Sequence, residues 1–368
     1  MSKSYQNQGL SMQIKNRYIS NLIYFTNHYF GWRNWSVLVY NSVIENMFVL
    51  FYIALRQQLY SIQFVLHFFI FLLFSSFCTT YGYLINDLGD IELDKLHGKD
   101  NTFKDDSKVK SFLIVLIFLM LSIISSLPFT GNPFFLTLFI SWLCIATAYS
   151  VKPFRLKERG KVGLIFVVMA QRVLPALLIF SAFKHYEWID VLVFTFYIFF
   201  RGLSSDLNHQ LEDYQKDAGT ETDTYAVKAG FKKAHKIFRL SLEIEKGLFI
   251  ICLLIIFFKL KNLQLFGIPL ILPVLLVYLL FYVLTWMKII KHGVKISPNP
   301  FTSGRNDIFQ FIYHPFPTII LPFYILFLLL FKNWIFIILL IFFIICRKMY
   351  SLELIRNSFP VKAIRNLI

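Results

Sequence analysis

The sequence predicts an all-α polytopic membrane protein, a bundle of about nine to ten transmembrane helices around a cytoplasm-facing central cavity. Three observations predict it. Of 368 residues, 57% are hydrophobic and the mean hydropathy is +0.60, too apolar for one or two soluble domains. Long stretches carry no charge, and several approach the roughly 20 residues that cross a bilayer core. The charges gather between those stretches, and positive charge is concentrated in every second connection.

Spans are placed at 36–55, 62–86, 110–128, 132–150, 162–183, 188–206, 244–260, 264–288, 317–331 and 334–346. The last two are short, and Lys332-Asn333 between them predicts a tight hairpin rather than one tilted helix. The connections after the second, fourth, sixth and eighth spans carry Lys95/Lys99/Lys104, Lys152/Arg155/Lys157/Arg159, Lys228/Lys232/Lys233/Lys236 and Lys288/Lys291/Lys295/Arg305. The alternate connections hold only Arg56, Lys184, Lys259, Lys261 and Lys332. Such asymmetry places the N-terminus and all the long loops in the cytoplasm. An even span count puts Arg347, Lys348, Arg356, Lys362 and Arg365 inside as well.

The polar first 34 residues lack a short apolar core with a small-residue cleavage site, so no cleaved signal peptide is expected. The expected organisation is a cytoplasmic segment over 1–35, a helical core over 36–290, and a loop, hairpin and tail over 291–368. The expected location is a prokaryotic plasma membrane.

Net charge is +16, from 37 Lys plus Arg against 21 Asp plus Glu. No soluble basic domain exists to bind nucleic acid, and cytoplasmic bias with anionic membrane lipid accounts for the excess. Cys78, Cys144, Cys252 and Cys346 lie in apolar runs without CxxC spacing and read as small hydrophobes. His97, His235 and His314 show no metal-ligand spacing.

Two acidic clusters interrupt this apolar chain. Asn86-Asp87-Leu-Gly-Asp90-Ile-Glu-Leu-Asp94 follows one apolar run, and Asp206, Asp213 and Asp217 end another. Carboxylates at the end of a hydrophobic span are expensive to desolvate, which makes them functional candidates. Asp87, Asp90 and Asp94 stand at i, i+3, i+7, one helix face; Asp206, Asp213 and Asp217 stand at i, i+7, i+11, about one stripe. The topology brings both clusters to the same membrane face as the basic loop Tyr149–Arg159. Carboxylates crowded on one cavity cannot all stay ionised without cations, which suggests one shared cation site. Hard oxygen donors select Mg²⁺, which prefers a few carboxylates plus phosphate oxygens. Lys152, Arg155 and Lys157 add positive charge toward a polyanion.

Carboxylates, divalent ion and basic side chains together stabilise a departing diphosphate. A diphosphate head at the membrane mouth with a tail in the bilayer describes an isoprenyl diphosphate. Its ionisation gives an allylic cation, which aromatic faces stabilise. The 43 Phe and 19 Tyr fit that role, although lipid-facing helices are equally rich in them.

Other polar residues have two readings each. Lys152, Arg155, Lys157 and Arg159 serve equally as topological charge. Arg172, inside a span beside Gln171 and Pro175, should face the cavity, where carboxylate pairing and substrate contact both fit. Arg201, one turn before the second cluster, is read the same way. His209 suits helix packing better than base catalysis, and Gln210 beside it joins the substrate-facing set. Tyr149 lines a prenyl pocket or anchors at the interface.

The pattern Asn86-Asp87-x-x-Asp90-x-x-x-Asp94 resembles the first signature of the UbiA-type intramembrane prenyltransferases. Asp206-x₆-Asp213-x₃-Asp217, followed by Gly219, Thr220 and Thr222, is similar to their second. Tyr149-Ser150-x-x-Pro153-x-Arg155-x-Lys157 resembles the loop between them. The resemblance covers 36–290 and implies an all-helical bundle, Mg²⁺ dependence and prenyl transfer from a diphosphate to an acceptor. It implies that Asn86, Asp87, Asp90 and Asp94 bind one Mg²⁺–diphosphate, and Asp213 and Asp217 the other. Many members have Arg-Pro and small residues after the first motif, where this chain has His97-Gly-Lys99-Asp-Asn101-Thr-Phe. His209-Gln210 also departs from the quinone-pathway members. Residues 290–316, with Pro298, Pro300, His314 and Pro315, have no counterpart.

The expected function is Mg²⁺-dependent transfer of a prenyl group from an isoprenyl diphosphate to an aromatic or lipid-like acceptor in the membrane. Asp87, Asp90, Asp94, Asp206, Asp213 and Asp217 form the expected catalytic set. Phosphoribosyl transfer to a polyprenyl phosphate and prenyl diphosphate cyclisation are alternatives on the same scaffold. A cation transporter is the alternative from another class. It would hold its ion at mid-depth and have little use for the basic loop.

Overall fold

The computed structural model describes residues 19–39, 41–96, 98–219, 223–291, 299–301 and 307–365. His97, Thr220, Thr222, Lys295, Pro298 and Arg305, named above, lie outside the described residues, as does most of the expected N-terminal segment.

The apolar runs fold as helices. Among the described residues, six are long and apolar enough to cross a membrane: Ile62–Leu96, Lys108–Phe129, Pro133–Ser150, Lys161–Ala182, Trp188–Glu212 and Leu272–Ile290. Met47–Arg56, Phe316–Leu330 and Trp334–Cys346 are shorter apolar helices. Phe231–Lys259 is also long, but Glu243, Glu245 and Lys246 make its first half polar. The protein is an all-α membrane protein.

Helix length positions the first acidic motif. The 35 residues of Ile62–Leu96 run about 52 Å at 1.5 Å per residue, well beyond a hydrocarbon core of about 30 Å. The motif is therefore carried on the last turns of the spanning helix itself, not on a segment after it. The second motif is likewise reached by the 25-residue Trp188–Glu212 helix.

Two expected spans are corrected. The run 36–55 is broken into Trp32–Val39, Ser42–Glu45 and Met47–Arg56. Asn41 caps the middle piece by accepting from the Val43 and Ile44 amides, and Asn46 donates back to the Ser42 carbonyl. Short polar side chains compete for backbone groups and end helices this way. In the run 264–288, Gln264–Leu265 and Ile268–Pro269 pair as a β-hairpin turning at Phe266-Gly267, and the helix begins at Leu272. The turn at Lys332-Asn333 forms as expected. The Asn333 side chain caps the Ile335 amide and donates to the Tyr60 carbonyl at 2.9 Å.

The bundle packs on a large aromatic-rich core, with Phe48, Phe51, Phe68, Phe71 and Phe74 nearly inaccessible to solvent, and on two smaller clusters around Phe238 and Val168. Ile62–Leu96 lies along Lys108–Ser126, and Trp188–Glu212 lies along Phe231–Lys259. These two pairs carry the two acidic motifs.

Candidate active site

Periodicity puts Asp87, Asp90 and Asp94 on one helix face, and all three are buried, Asp87 to 1% exposure. The connection that follows folds back on them. The Thr102 hydroxyl donates to Asp87 Oδ2 at 2.6 Å. Asn101 Nδ2 donates to Asp94 Oδ2 at 2.7 Å and to the Asp87 carbonyl at 2.8 Å. Gly89, between the aspartates, allows the Pro133–Ser150 helix to approach. A Cβ there would stand 2.7 Å from the Ser150 carbonyl oxygen, and the Ser150 hydroxyl reaches Asn86 Oδ1 at 3.2 Å.

That helix ends at Ser150 and hands the chain to the basic loop. Arg155 sits there with φ 37°, ψ 57°, the left-handed region. This turn aims its guanidinium at the first motif. Nη2 donates to Asp90 Oδ1 at 2.8 Å, Nη1 to the Gly89 carbonyl at 2.9 Å, and Nε to Glu158 at 2.5 Å. Lys157 Nζ donates to Asn86 Oδ1 at 3.0 Å and pairs with Asp90 Oδ2. Burial holds the Lys157 ammonium below the ordinary lysine range, against the opposing pull of Asp90. Both oxygens of Asp90 are thus engaged by cations, although Asp90 was expected among the metal ligands. Lys152 is exposed, and neither it nor Arg155 lines the cavity described below.

The second motif is not one continuous helix. The Trp188–Glu212 helix stops at Glu212, Asp213 caps it, and Tyr214–Gly219 carries Asp217. Backbone bonds from Asp213 N to His209 O and from Asp217 N to Asp213 O keep the stripe in register across the break. Asp206 accepts from Gln210 Nε2 at 2.8 Å, and Gln210 Oε1 accepts from the Ala226 amide at 3.1 Å. His209 is largely exposed, with Nε2 3.7 Å from Asp213 Oδ2. Burial first, and then the Asp213 charge, pushes the Asp217 carboxyl up.

The two motifs face each other across a cavity of about 880 Å³. Asn86, Asp87, Asp90, Asp94, Tyr149, Lys157, Arg172, Asp206, His209, Gln210, Asp213 and Asp217 all line it. So do Phe71, Phe74, Cys78, Trp142, Val167, Val168 and Leu178, which give it an apolar wall.

Arg172 pairs with Glu45 at the cavity wall, so the carboxylate-pairing reading applies. It lies in a π-helical turn, Met169–Val173. Pro175 has no N–H to offer the Gln171 carbonyl; the Ser42 hydroxyl bonds that oxygen instead, and Trp142 Nε1 bonds the Ala170 carbonyl at 2.7 Å. Gly202 gives the Arg172 stem room, since a Cβ there would be 2.6 Å from Arg172 Cγ. Arg201, expected at the same cavity, does not line it. Its guanidinium bonds Glu245 Oε1 at 3.0 Å and the Tyr313 carbonyl at 2.8 Å, on the other side of its helix.

The motif carboxylates do not form a closed ligand cluster by themselves. Among the described residues, the one group with three ligand atoms within 4.8 Å of one another is His185, Glu187 and Asp190. Arg56 and Lys259 already neutralise Glu187 there, and Tyr52 and His185 bond Asp190. The motif carboxylates instead line one cavity from different helices. This donor set fits Mg²⁺, a hard ion that keeps waters and phosphate oxygens and takes only one or two carboxylates from the protein.

Sequence reasoning missed Asn101, Thr102, Glu45, Asn208 and Glu212. The departure at Asn101-Thr-Phe was the available signal for the first two. Asn208 donates to Glu212 at 2.8 Å and accepts from Asn299 at 2.7 Å, and Phe301 lines the cavity, so part of the 290–316 segment reaches the site.

The UbiA prenyltransferase family matches residues 47–293, about two thirds of the chain. The digeranylgeranylglyceryl phosphate synthase of Sulfurisphaera tokodaii is 31% identical over 168 residues, 44% of this chain and 58% of that protein. The match therefore spans little more than half of that relative's length. A solved structure of a digeranylgeranylglyceryl phosphate synthase shares the fold, with a TM-score of 0.50 at 15% identity over 82% of this chain and 96% of the other. A UbiA homolog from Archaeoglobus fulgidus bound to GPP and Mg²⁺ aligns at 19% identity over 78% of this chain and 98% of the other, with a TM-score of 0.47. The family match runs through both acidic motifs and the basic loop between them, and the chain belongs to the UbiA prenyltransferase family.

Proposed function

We propose that this prenyltransferase moves a prenyl group from an isoprenyl diphosphate, held with Mg²⁺, to a lipid-like acceptor that enters from the membrane. The carrying observation is the composition of the 880 Å³ cavity, which is lined by both acidic motifs and also by Phe71, Phe74 and Trp142, several turns before the first motif on its own helix or on a neighbouring one. A diphosphate head and a hydrocarbon tail fit that division. The similarity to a digeranylgeranylglyceryl phosphate synthase supports a lipid-like acceptor over an aromatic one.

In this reading Asp87 and Asp94 on one wall, and Asp213 and Asp217 on the other, hold the metal-bound diphosphate. Bound Mg²⁺ supplies charge neutralisation for the leaving diphosphate. Lys157, which lines the cavity against Asp90 and Asn86, orients phosphate oxygens at the mouth, and Arg155 behind it fixes Asp90. Tyr149, close enough to feel the charges of Asp90 and Asp206, stands at the boundary between head and tail. The apolar wall excludes water, so the allylic cation formed when the C1–O bond breaks is captured by the acceptor rather than hydrolysed. The positive-inside distribution supports a mouth that opens to the cytoplasm.

Protein in nanodiscs, given Mg²⁺, a panel of prenyl diphosphates and membrane lipid extract, should release pyrophosphate and form a prenylated lipid. Asp90→Asn and Asp213→Asn should lose both. No release from any prenyl donor by folded wild-type protein would overturn the reading, and release without a prenylated product would indicate cyclisation.

A further inference from the structure

The first acidic motif is held by a loop, and that loop is itself held from outside the family-matched region. Thr102 and Asn101 donate to Asp87 and Asp94, as described. On the far side of the loop lies the turn Thr26–Phe30, which precedes residue 47, where the family match begins. His28 Nε2 donates to the Thr102 carbonyl at 3.0 Å. The Tyr29 hydroxyl donates to Asp106 Oδ2 at 2.6 Å, and the Tyr29 ring stacks on Phe103 with centroids 6.0 Å apart. Tyr29 is 1% and Phe103 0% exposed. Asp106 also pairs with Lys110 at 2.6 Å, so it does not depend on Tyr29 for a counter-charge. What Tyr29 adds is position. Its hydroxyl, its ring and the neighbouring imidazole fix three points of the loop, at residues 106, 103 and 102.

We propose that the N-terminal turn Thr26–Phe30 is a brace that sets the metal affinity of the first acidic motif, with His28 and Tyr29 as positioning residues acting through Thr102 on Asp87. The proposal rests on reading Asp87 and Asp94 as ligands of the metal-bound diphosphate. A carboxylate already fixed in one rotamer by a donor binds a metal without losing side-chain freedom, and such donors are worth roughly 10- to 100-fold in metal affinity. Thr102 is that donor for Asp87. Tyr29 and His28 sit one step further out and decide where Thr102 stands.

The test uses the full chain in nanodiscs and Mn²⁺ alone as the probe, its binding followed by loss of the free-ion EPR signal. The Mg²⁺ concentration giving half-maximal pyrophosphate release is measured in parallel. Thr102→Val should weaken Mn²⁺ binding by about 10-fold or more, and Thr102→Ser, which keeps the hydroxyl, should restore it. Tyr29→Phe keeps the ring on Phe103 and removes only the hydroxyl. It should raise the half-saturating Mg²⁺ roughly 3- to 10-fold, with kcat at saturating metal within twofold of wild type. Because Tyr29 acts through Thr102, the double variant should bind Mn²⁺ no more weakly than Thr102→Val alone.

Wild-type metal affinity in Tyr29→Phe, additive losses in the double variant, or a fall in thermal midpoint with unchanged affinity would each overturn the brace. So would Mn²⁺ binding indifferent to Asp87→Asn. The two readings fail separately. Pyrophosphate release with metal affinity blind to Tyr29 rejects the brace alone, whereas Mn²⁺ binding that follows Tyr29 and Thr102 without any prenyl chemistry rejects the proposed reaction alone.

Discussion

Gly89→Ala adds one methyl group inside the first acidic motif. On the backbone as it stands, that Cβ lies 2.7 Å from the Ser150 carbonyl oxygen and 3.4 Å from its carbon. Ordinary contact begins near the second distance, so the helices must part by about 0.5–0.7 Å, and a backbone carbonyl cannot rotate aside. Overpacking of this kind costs about 1–3 kcal/mol, offset by at most about 1 kcal/mol from alanine's better helix propensity. The functional loss should exceed the loss of stability. Ser150 leads directly into the loop that carries Arg155 and Lys157, so parting the helices moves both cations relative to Asp90 and Asn86. A misplacement approaching 1 Å is worth about 100-fold in rate, so a loss of at least about 10-fold in kcat/KM is expected. Gly82→Ala is the internal control, two turns back on the same helix and facing the same neighbour. Its Cβ would meet Trp142 Cζ2 at 3.7 Å, an ordinary contact, so it should keep wild-type rate and gain up to about 1 kcal/mol of stability. Pyrophosphate release and thermal midpoint in the same nanodiscs measure both effects. Wild-type rates in Gly89→Ala, or equal losses in both variants, would refute the close-approach argument.

Three further outcomes are expected. Removing either partner of the buried Glu45–Arg172 pair should destabilise the protein by about 3–5 kcal/mol, whereas Glu45→Gln with Arg172→Met should recover most of that loss; a thermal double-mutant cycle measures it, and additive losses would sink the pairing argument. Because burial lowers the Lys157 pKa, its ammonium loses its proton as pH rises at lower pH than an ordinary lysine, so kcat/KM should fall early on the alkaline side. Lys157→Arg, permanently charged, should push that limb upward, and an unchanged limb would exclude Lys157 as its source. The Asp217 carboxyl is raised, so as pH falls it protonates above the usual carboxylate range; the half-saturating Mg²⁺ should climb on acidification and excess Mg²⁺ should restore the rate, whereas a pH-independent metal requirement would argue against Asp217 as a ligand.

Much of the architecture was legible because it is local. A run of apolar residues long enough for the bilayer becomes a helix, and the spacing of Asp87, Asp90 and Asp94 places them on one face with no reference to any other part of the chain. The turn at Lys332-Asn333 is local in the same sense. The failures were also physical. The run 265–284 carries no charged side chain, so nothing in its charge pattern separates the hairpin at Phe266-Gly267 from the helix that follows. The break at Asn41–Asn46 depends on two asparagines finding particular backbone amides and carbonyls. Asn101 and Thr102 looked like a mere departure from a pattern, because their value lies in reaching back onto a helix that precedes them.

The sequence by itself determined the membrane class, the approximate spans, the two acidic stripes and the basic loop between them. Tertiary structure alone decided the partners. Arg172 and Arg201 read alike, each an arginine in an apolar run, yet one meets Glu45 at the cavity wall and the other turns away to Glu245 and Tyr313. Asp90 read like Asp87, yet it is clasped by Arg155 and Lys157, whereas the loop residue Thr102 donates its hydroxyl to Asp87. The reason is that hydropathy and helical period are properties of neighbours along the chain. Which charge meets which is set by packing between helices that lie far apart in sequence, and in a low-dielectric interior that choice fixes the role of each charged residue.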